Sequence, residues 1–177
     1  MPTRAHDQLW FFRTGPGEYG EGDQFIGATV PNTRKVAAEF AALPIDEIFA
    51  LGQSPIHEHR LCALVILVNQ FDKSKDQQQR KKLFDTWMKL LRGGFINNWD
   101  LVDVSAHKIG GWLIGRPDAM KLLEKLAITA HHLGDVVGHD ARPRDLDHRP
   151  HQVGDGLESH LRERLRVYPP HQFELVR

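Results

Sequence analysis

Apolar residues over the first 128 positions recur at helical spacing, between short breaks marked by proline and glycine, so the pattern predicts an all-α chain. Pro31 stands where a first helical turn accepts proline, and Val36, Ala37 and Phe40 give a narrow apolar stripe that ends near Pro44. A short helix is predicted from about Ile45 to Leu51. Ser54-Pro55 opens the next, whose run Leu61 to Val68 is apolar on every side; such a helix has neighbours all round it and reads as central. From about Lys75, the residues Phe84, Trp87, Met88 and Leu91 stand at i, i+3, i+4 and i+7, and Gly93-Gly94 ends the pattern. Asn97 or Asn98 is placed to cap a further helix running to about Gly115, and Pro117 to start another carrying Met120, Leu123 and Leu126. Helices of this length, each needing a neighbour to cover its apolar face, suit an α-solenoid. No clean repeat period is visible, so an irregular bundle fits the periodicity equally well.

Beyond Ala130 the pattern is lost. Residues 131–177 contain no lysine, isoleucine, methionine or tryptophan and hold seven of the chain's 11 histidines. Pro143, Pro150, Pro169 and Pro170 interrupt them, and only Gly156 to Val167, with Leu157, Leu161 and Leu165 at i, i+4 and i+8, reads as an amphipathic helix. The expected organisation is a helical-repeat domain over 1–130 and an irregular Arg/His/Pro-rich tail over 131–177. That makeup is what GC-rich DNA gives when read out of frame, so a shifted reading frame or a gene rearrangement is one origin for the tail. A solenoid that stops near residue 130 leaves an apolar end uncovered, which predicts self-association.

At 177 residues the length fits one domain. Lysine plus arginine equal aspartate plus glutamate, 23 to 23, so any nucleic-acid surface must be local. The single cysteine, Cys62, lies inside the apolar run and reads as a small buried hydrophobe, which leaves no disulfide framework or cysteine zinc site. The amino terminus lacks the apolar core of a signal peptide, and no apolar stretch approaches the roughly 20 residues that span a bilayer. A cytoplasmic protein with no membrane partner is the expectation. The glycine-rich stretch Gly15 to Gly22 lacks a Gly-Lys-Ser/Thr ending and carries Glu18 and Glu21, with Asp23 following, so a structured turn is expected rather than a phosphate loop. His57 and His59, two apart, point to different sides of a helix and cannot share a metal; His57 reads as structural, near a helix start. The tail offers His131-His132, His139-Asp140 and His148 with Asp145 and Asp147, metal-ligand types without regular framing; no metal site and no cofactor is assigned.

Three blocks carry a more specific signal. The first runs Phe11-Phe12-Arg13-Thr14-Gly15-Pro16-Gly17-Glu18-Tyr19-Gly20-Glu21-Gly22-Asp23 and on through Phe25-Ile26-Gly27 to Val30-Pro31 and Arg34-Lys35. The second is Ser54-Pro55-Ile56-His57-Glu58 with Arg60, and the third Ile96-Asn97-Asn98-Trp99-Asp100-Leu101-Val102-Asp103. Together, over about residues 8–128, they resemble the amino-terminal part of AlkD-type DNA alkylation repair proteins. The resemblance implies a HEAT-like α-solenoid of antiparallel helix pairs. For the family's active members it also implies hydrolysis of the N-glycosidic bond of alkylated purines in duplex DNA. Trp99 and Asp103 match the tryptophan and aspartate of the family's catalytic motif.

The chemistry agrees with that assignment. Standing at i and i+4, Trp99 and Asp103 share one helix face, one turn apart. Departure of a cationic purine leaves oxocarbenium-like charge on the sugar, which a carboxylate can stabilise while it orients water, and an indole can contact the sugar or the cation. Asp100 matches no catalytic role and fits a helix-start acid. Arg34, Lys35, Arg60 and Lys108 are candidate phosphate contacts if they share a concave face. Family members carry a later Trp-x-x-Arg segment whose arginine completes the cleft, and nothing after Leu126 matches it. The alternative is a non-catalytic helical-repeat scaffold that binds DNA or protein: clustered Lys and Arg beside Asp103 point to the enzyme, an acidic or flat surface to the scaffold. A metal hydrolase using the tail histidines is a third, distant reading.

Overall fold

The computed structural model describes residue 9 and residues 11–125, and among these the regular structure is helical, with no strand. Helix α1 (Val30–Glu39) begins where the Thr29 hydroxyl accepts the Asn32 N–H at 3.4 Å; Pro31 falls in its first turn, where a missing N–H costs nothing. Helix α2 (Ile45–Gly52) carries Asp46 and Glu47 in its first turn, matched to the positive end of the helix dipole. Helix α3 (His57–Lys73) is buried at every residue from His57 to Val68. Helix α4 (Gln77–Arg92) is capped by Asp76, whose carboxylate accepts the Gln78 and Gln79 N–H groups at 3.0 and 3.3 Å. Helix α5 (Trp99–Ile109) continues into a 3₁₀ turn, Gly110–Leu113.

The central position expected for the apolar run is what α3 occupies, since α1, α2, α4 and α5 all pack against it. Val36 and Ala37 of α1, Ile48 and Leu51 of α2, Leu83, Trp87 and Leu90 of α4, and Leu101 and Ile109 of α5 close over its side chains. Two polar ties fix the outer helices where a loop would otherwise leave buried groups unpaired. Gln70 Nε2 donates to the carbonyls of Ala41 and Leu43 at 3.0 and 2.8 Å, pinning the α1–α2 connection to α3. Trp87 Nε1 donates to Ser105 Oγ at 3.0 Å, and that hydroxyl donates to the Leu101 carbonyl at 2.7 Å, joining α4 to α5. Cys62 is a packing residue within this core, its thiol pushed up to about 12 by burial.

The structure departs from the pattern in three places. Asn98 holds the N-cap position of α5, yet its side chain makes no capping bond. The α-helix then ends at Ile109 rather than near Gly115 because the chain tightens into the 3₁₀ turn. In the helical stretch 119–125, Ala119 and Leu122 face the core while Met120 and Leu123 are exposed, so the buried side is the one next to the stripe expected. Leu126 and the tail, with its histidines and its Gly156 to Val167 helix, lie outside the described residues. Among the described residues, no helix is long and apolar enough to cross a membrane, and no His/Cys/Asp/Glu group is arranged to hold a metal ion.

Candidate functional site

The segment before α1 is built as a brace. Within the glycine-rich stretch, Gly15 N–H donates to Glu18 Oε2 and Gly17 N–H to Glu21 Oε2, both at 2.9 Å, so the loop's own carboxylates take the donors a phosphate would need. Gly20 allows no side chain, because a Cβ there would stand 2.5 Å from the Phe12 carbonyl oxygen. The loop is therefore the structured turn its acidic residues suggest. Past it, Gln24 pairs with the entry to α3: its N–H donates to the Pro55 carbonyl at 3.1 Å, and its carbonyl accepts the His57 N–H at 2.8 Å.

Next comes a clamp. Glu58 Oε1 accepts the N–H groups of Ile26, Gly27 and Ala28 at 3.1, 2.8 and 3.2 Å, with the chain turned at Gly27 by a φ of 82° that favours glycine. Burial pushes the Glu58 carboxyl above its ordinary range, and the hydrogen bonds from its own N–H, Ile26 and Gly27 offset only part of that. Because Thr29 and α1 follow directly, this clamp sets where α1 begins.

Beneath the brace lies a buried charge network. Asp23 accepts from Arg60 Nη2 at 2.6 Å and from Asn97 Nδ2 at 3.2 Å, and its Oδ2 stands 3.5 Å from His57 Nδ1, within ion-pair range. On the other side of the ring, His57 Nε2 and Asp100 Oδ2 are 2.7 Å apart. Burial alone would raise the Asp23 pKa; His57, Arg60 and Asn97 outweigh it and hold the carboxyl low. Burial alone would lower that of His57, and the carboxylates of Asp100 and Asp23 outweigh it and hold it above the ordinary histidine value. Arg60, 5% exposed, also donates to the Ser54 carbonyl at 3.2 Å. The expectation that Arg60 meets a DNA phosphate is corrected here: its guanidinium is enclosed and spent on Asp23, Ser54 and Asn97.

Aromatic rings connect this network to the surface. The His57 ring lies 4.8 Å from both Phe12 and Phe25, and Phe12 lies 5.9 Å from the Trp99 indole. Phe11 meets the same indole edge-on at 5.9 Å. Trp99 is nonetheless 49% exposed. With Asp103 it lines an open cleft of about 410 Å³, floored by Leu61, Val65 and Val68 of α3, in which Val30 and Arg34 of α1 and Lys108 of α5 also take part. Lys108 Nζ is 3.5 Å from Asp72, and Asp72 and Asp100 belong to the same lining. Lys35 is exposed on α1 but is not part of the cleft. The structure thus brings Trp99, Asp103, Arg34 and Lys108 together, leaves Lys35 aside and encloses Arg60.

The chain matches the family described as DNA alkylation repair enzyme over residues 1–133. It belongs to that family. No curated protein and no solved structure matches it. The matched stretch ends beside the change of composition at residue 131.

In this DNA alkylation repair family member, sequence reasoning passed over the residues that hold the cleft. His57 was legible only as a helix-start residue and Asp100 only as a first-turn acid, although their side chains meet. Glu58 and Asp23 carried no role. The available signal was their type: a glutamate, two histidines and an arginine directly before the apolar run Leu61 to Val68 must be paired once buried.

Proposed function

We propose that this chain hydrolyses the N-glycosidic bond of alkylated purines in duplex DNA, with Asp103 and Trp99 as the reacting pair. The observation that carries the reading is their joint exposure in one open cleft with Arg34 and Lys108. As the purine leaves, Asp103 stabilises the positive charge that develops on the sugar and orients the attacking water; Trp99 offers its ring to the sugar or the cationic base. Arg34 and Lys108 meet phosphates on either side of the lesion. The same reading takes these helices as HEAT-like pairs, with α2 packed on both α3 and α4.

The lining is of mixed charge, Arg34 and Lys108 against Asp72, Asp100 and Asp103, and this favours a second reading, a non-catalytic helical scaffold that binds DNA or protein. Release of methylated purines from alkylated duplex DNA separates the two, with Asp103→Asn compared at matched folded fraction by circular dichroism. The enzyme reading expects release that falls by about 10²-fold or more in the variant, the scale of losing one group that stabilises transition-state charge. A well-folded wild type that releases nothing points to the scaffold or to an enzyme disabled by the missing Trp-x-x-Arg segment.

A further inference from the structure

We propose that His57 is a positioning residue of this cleft: held between Asp100 and the rings of Phe12 and Phe25, it sets how α5 presents Trp99 and Asp103. The inference rests on the repair reading of that pair, but its geometry stands apart from it. The first turn of α5 lacks the usual anchor, since Asn98 makes no side-chain capping bond. Asp100 supplies the anchor instead, accepting the Leu101 N–H on Oδ1 at 2.8 Å and meeting His57 Nε2 with Oδ2 at 2.7 Å. Trp99 precedes Asp100 and Asp103 follows it by one turn, so any rotation of that turn moves both. A second route runs through the rings, because Phe12 touches both His57 and Trp99. Residues 57 and 58 thereby place opposite walls of the cleft: His57 that of α5, Glu58, through its clamp on residues 26–28, that of α1.

The arrangement is charge-dependent. Asp100 from α5 and Asp23 from the segment before α1 favour the imidazolium, Arg60 on α3 itself opposes it, and Glu58 is the next residue. Protonated, the ring pairs as a cation with Asp100 and Asp23; neutral, its one N–H can still reach Asp100 from Nε2, but without the charge that strengthens the bond. The hold on α5 is therefore strongest below the ordinary histidine value of 6.5 and weakens as pH rises through the higher value His57 has in the folded chain.

The test uses the whole chain labelled with 5-fluorotryptophan, with the Trp99 resonance assigned from Trp99→Phe. Fluorine NMR across pH is read beside single-turnover release of methylated purine. In the wild type the Trp99 signal is expected to move, and release to fall roughly tenfold, with one midpoint on the alkaline side of 6.5. Asp100→Asn removes the partner that raises His57, so the midpoint shifts to lower pH; His57→Gln, folded by circular dichroism, abolishes the pH-dependent step in the Trp99 signal. A merely structural histidine would leave no such step and no shift. A Trp99 signal flat across pH in the wild type overturns the proposal, as does a midpoint unmoved in Asp100→Asn. A Trp99 signal that behaves as expected in a chain releasing no purine upholds the positioning role and sinks the catalytic reading instead.

Discussion

Arg60 with Asp23, and Arg34 with Asp103, are the same residue types put to opposite uses. The first pair is buried and closed at 2.6 Å, and the carboxylate is held low by its partners. The second pair is exposed and lines an open cleft. Burial makes the difference. An enclosed ion pair is poor evidence of net stability, yet it is costly to break, because the remaining charge is stranded without water. An exposed charge costs little to remove and is free to meet a ligand. The buried network is where stability should be sensitive and the cleft where activity should be.

The sharpest way to break that contrast is Arg60→Ala. It leaves Asp23 with Asn97 and His57 but without its guanidinium, and should destabilise the fold by about 3–5 kcal/mol in urea denaturation. The same Asp23 gives acid sensitivity of known sign. Its folded pKa lies below the ordinary 3.8, so its contribution is present above 3.8 and is lost as pH falls through the folded value. In Arg60→Ala that acid transition should begin at higher pH. A cost under about 1 kcal/mol would show that the network yields and that the contrast is false.

Glu58→Ala should come next, at about 2 kcal/mol, since it strips the acceptor from the N–H groups of Ile26, Gly27 and Ala28. Glu58→Gln keeps an acceptor oxygen in the same place and should retain most of that stability. Burial already pushes the Glu58 carboxyl upward, so loss of its charge is the smaller part. Thermal melting of the two variants side by side separates the acceptor from the charge. Equal losses would mean that the clamp works through charge rather than through the oxygen.

The helices were legible because their cause is local. Thr29 and Pro31 start α1, the run Leu61 to Val68 can only be interior, and Gly93 closes α4. The pairing Trp99–Asp103 was legible for the same reason, being one turn of one helix. Arg60 could not be told from Arg34, because what separates them is the approach of Asp23, 37 positions away. His57 and Asp100 meet across 43 positions and Glu58 reaches back 30 to 32. Contacts of that span leave no mark in periodicity. The misjudged side of 119–125 has a similar origin, since three-residue spacing alone does not say which of two adjoining apolar stripes the rest of the fold will cover.

The cleft side of the contrast is tested by its smallest effect. Arg34→Ala and Lys108→Ala should leave melting unchanged within about 0.5 kcal/mol, as surface substitutions do. Removing one cation that meets a phosphate should lower the salt slope of binding to an unmodified duplex by about 1. The two should not be equal. Lys108 already lies 3.5 Å from Asp72, which neutralises part of its charge before DNA arrives, so its removal should change the slope less than that of Arg34. Fluorescence anisotropy over a range of salt reads both. If Lys108→Ala has the larger effect, DNA displaces Asp72 and takes the lysine whole; if neither variant moves the slope, the cleft meets its ligand without those phosphates and its cations are no more than a solvated edge.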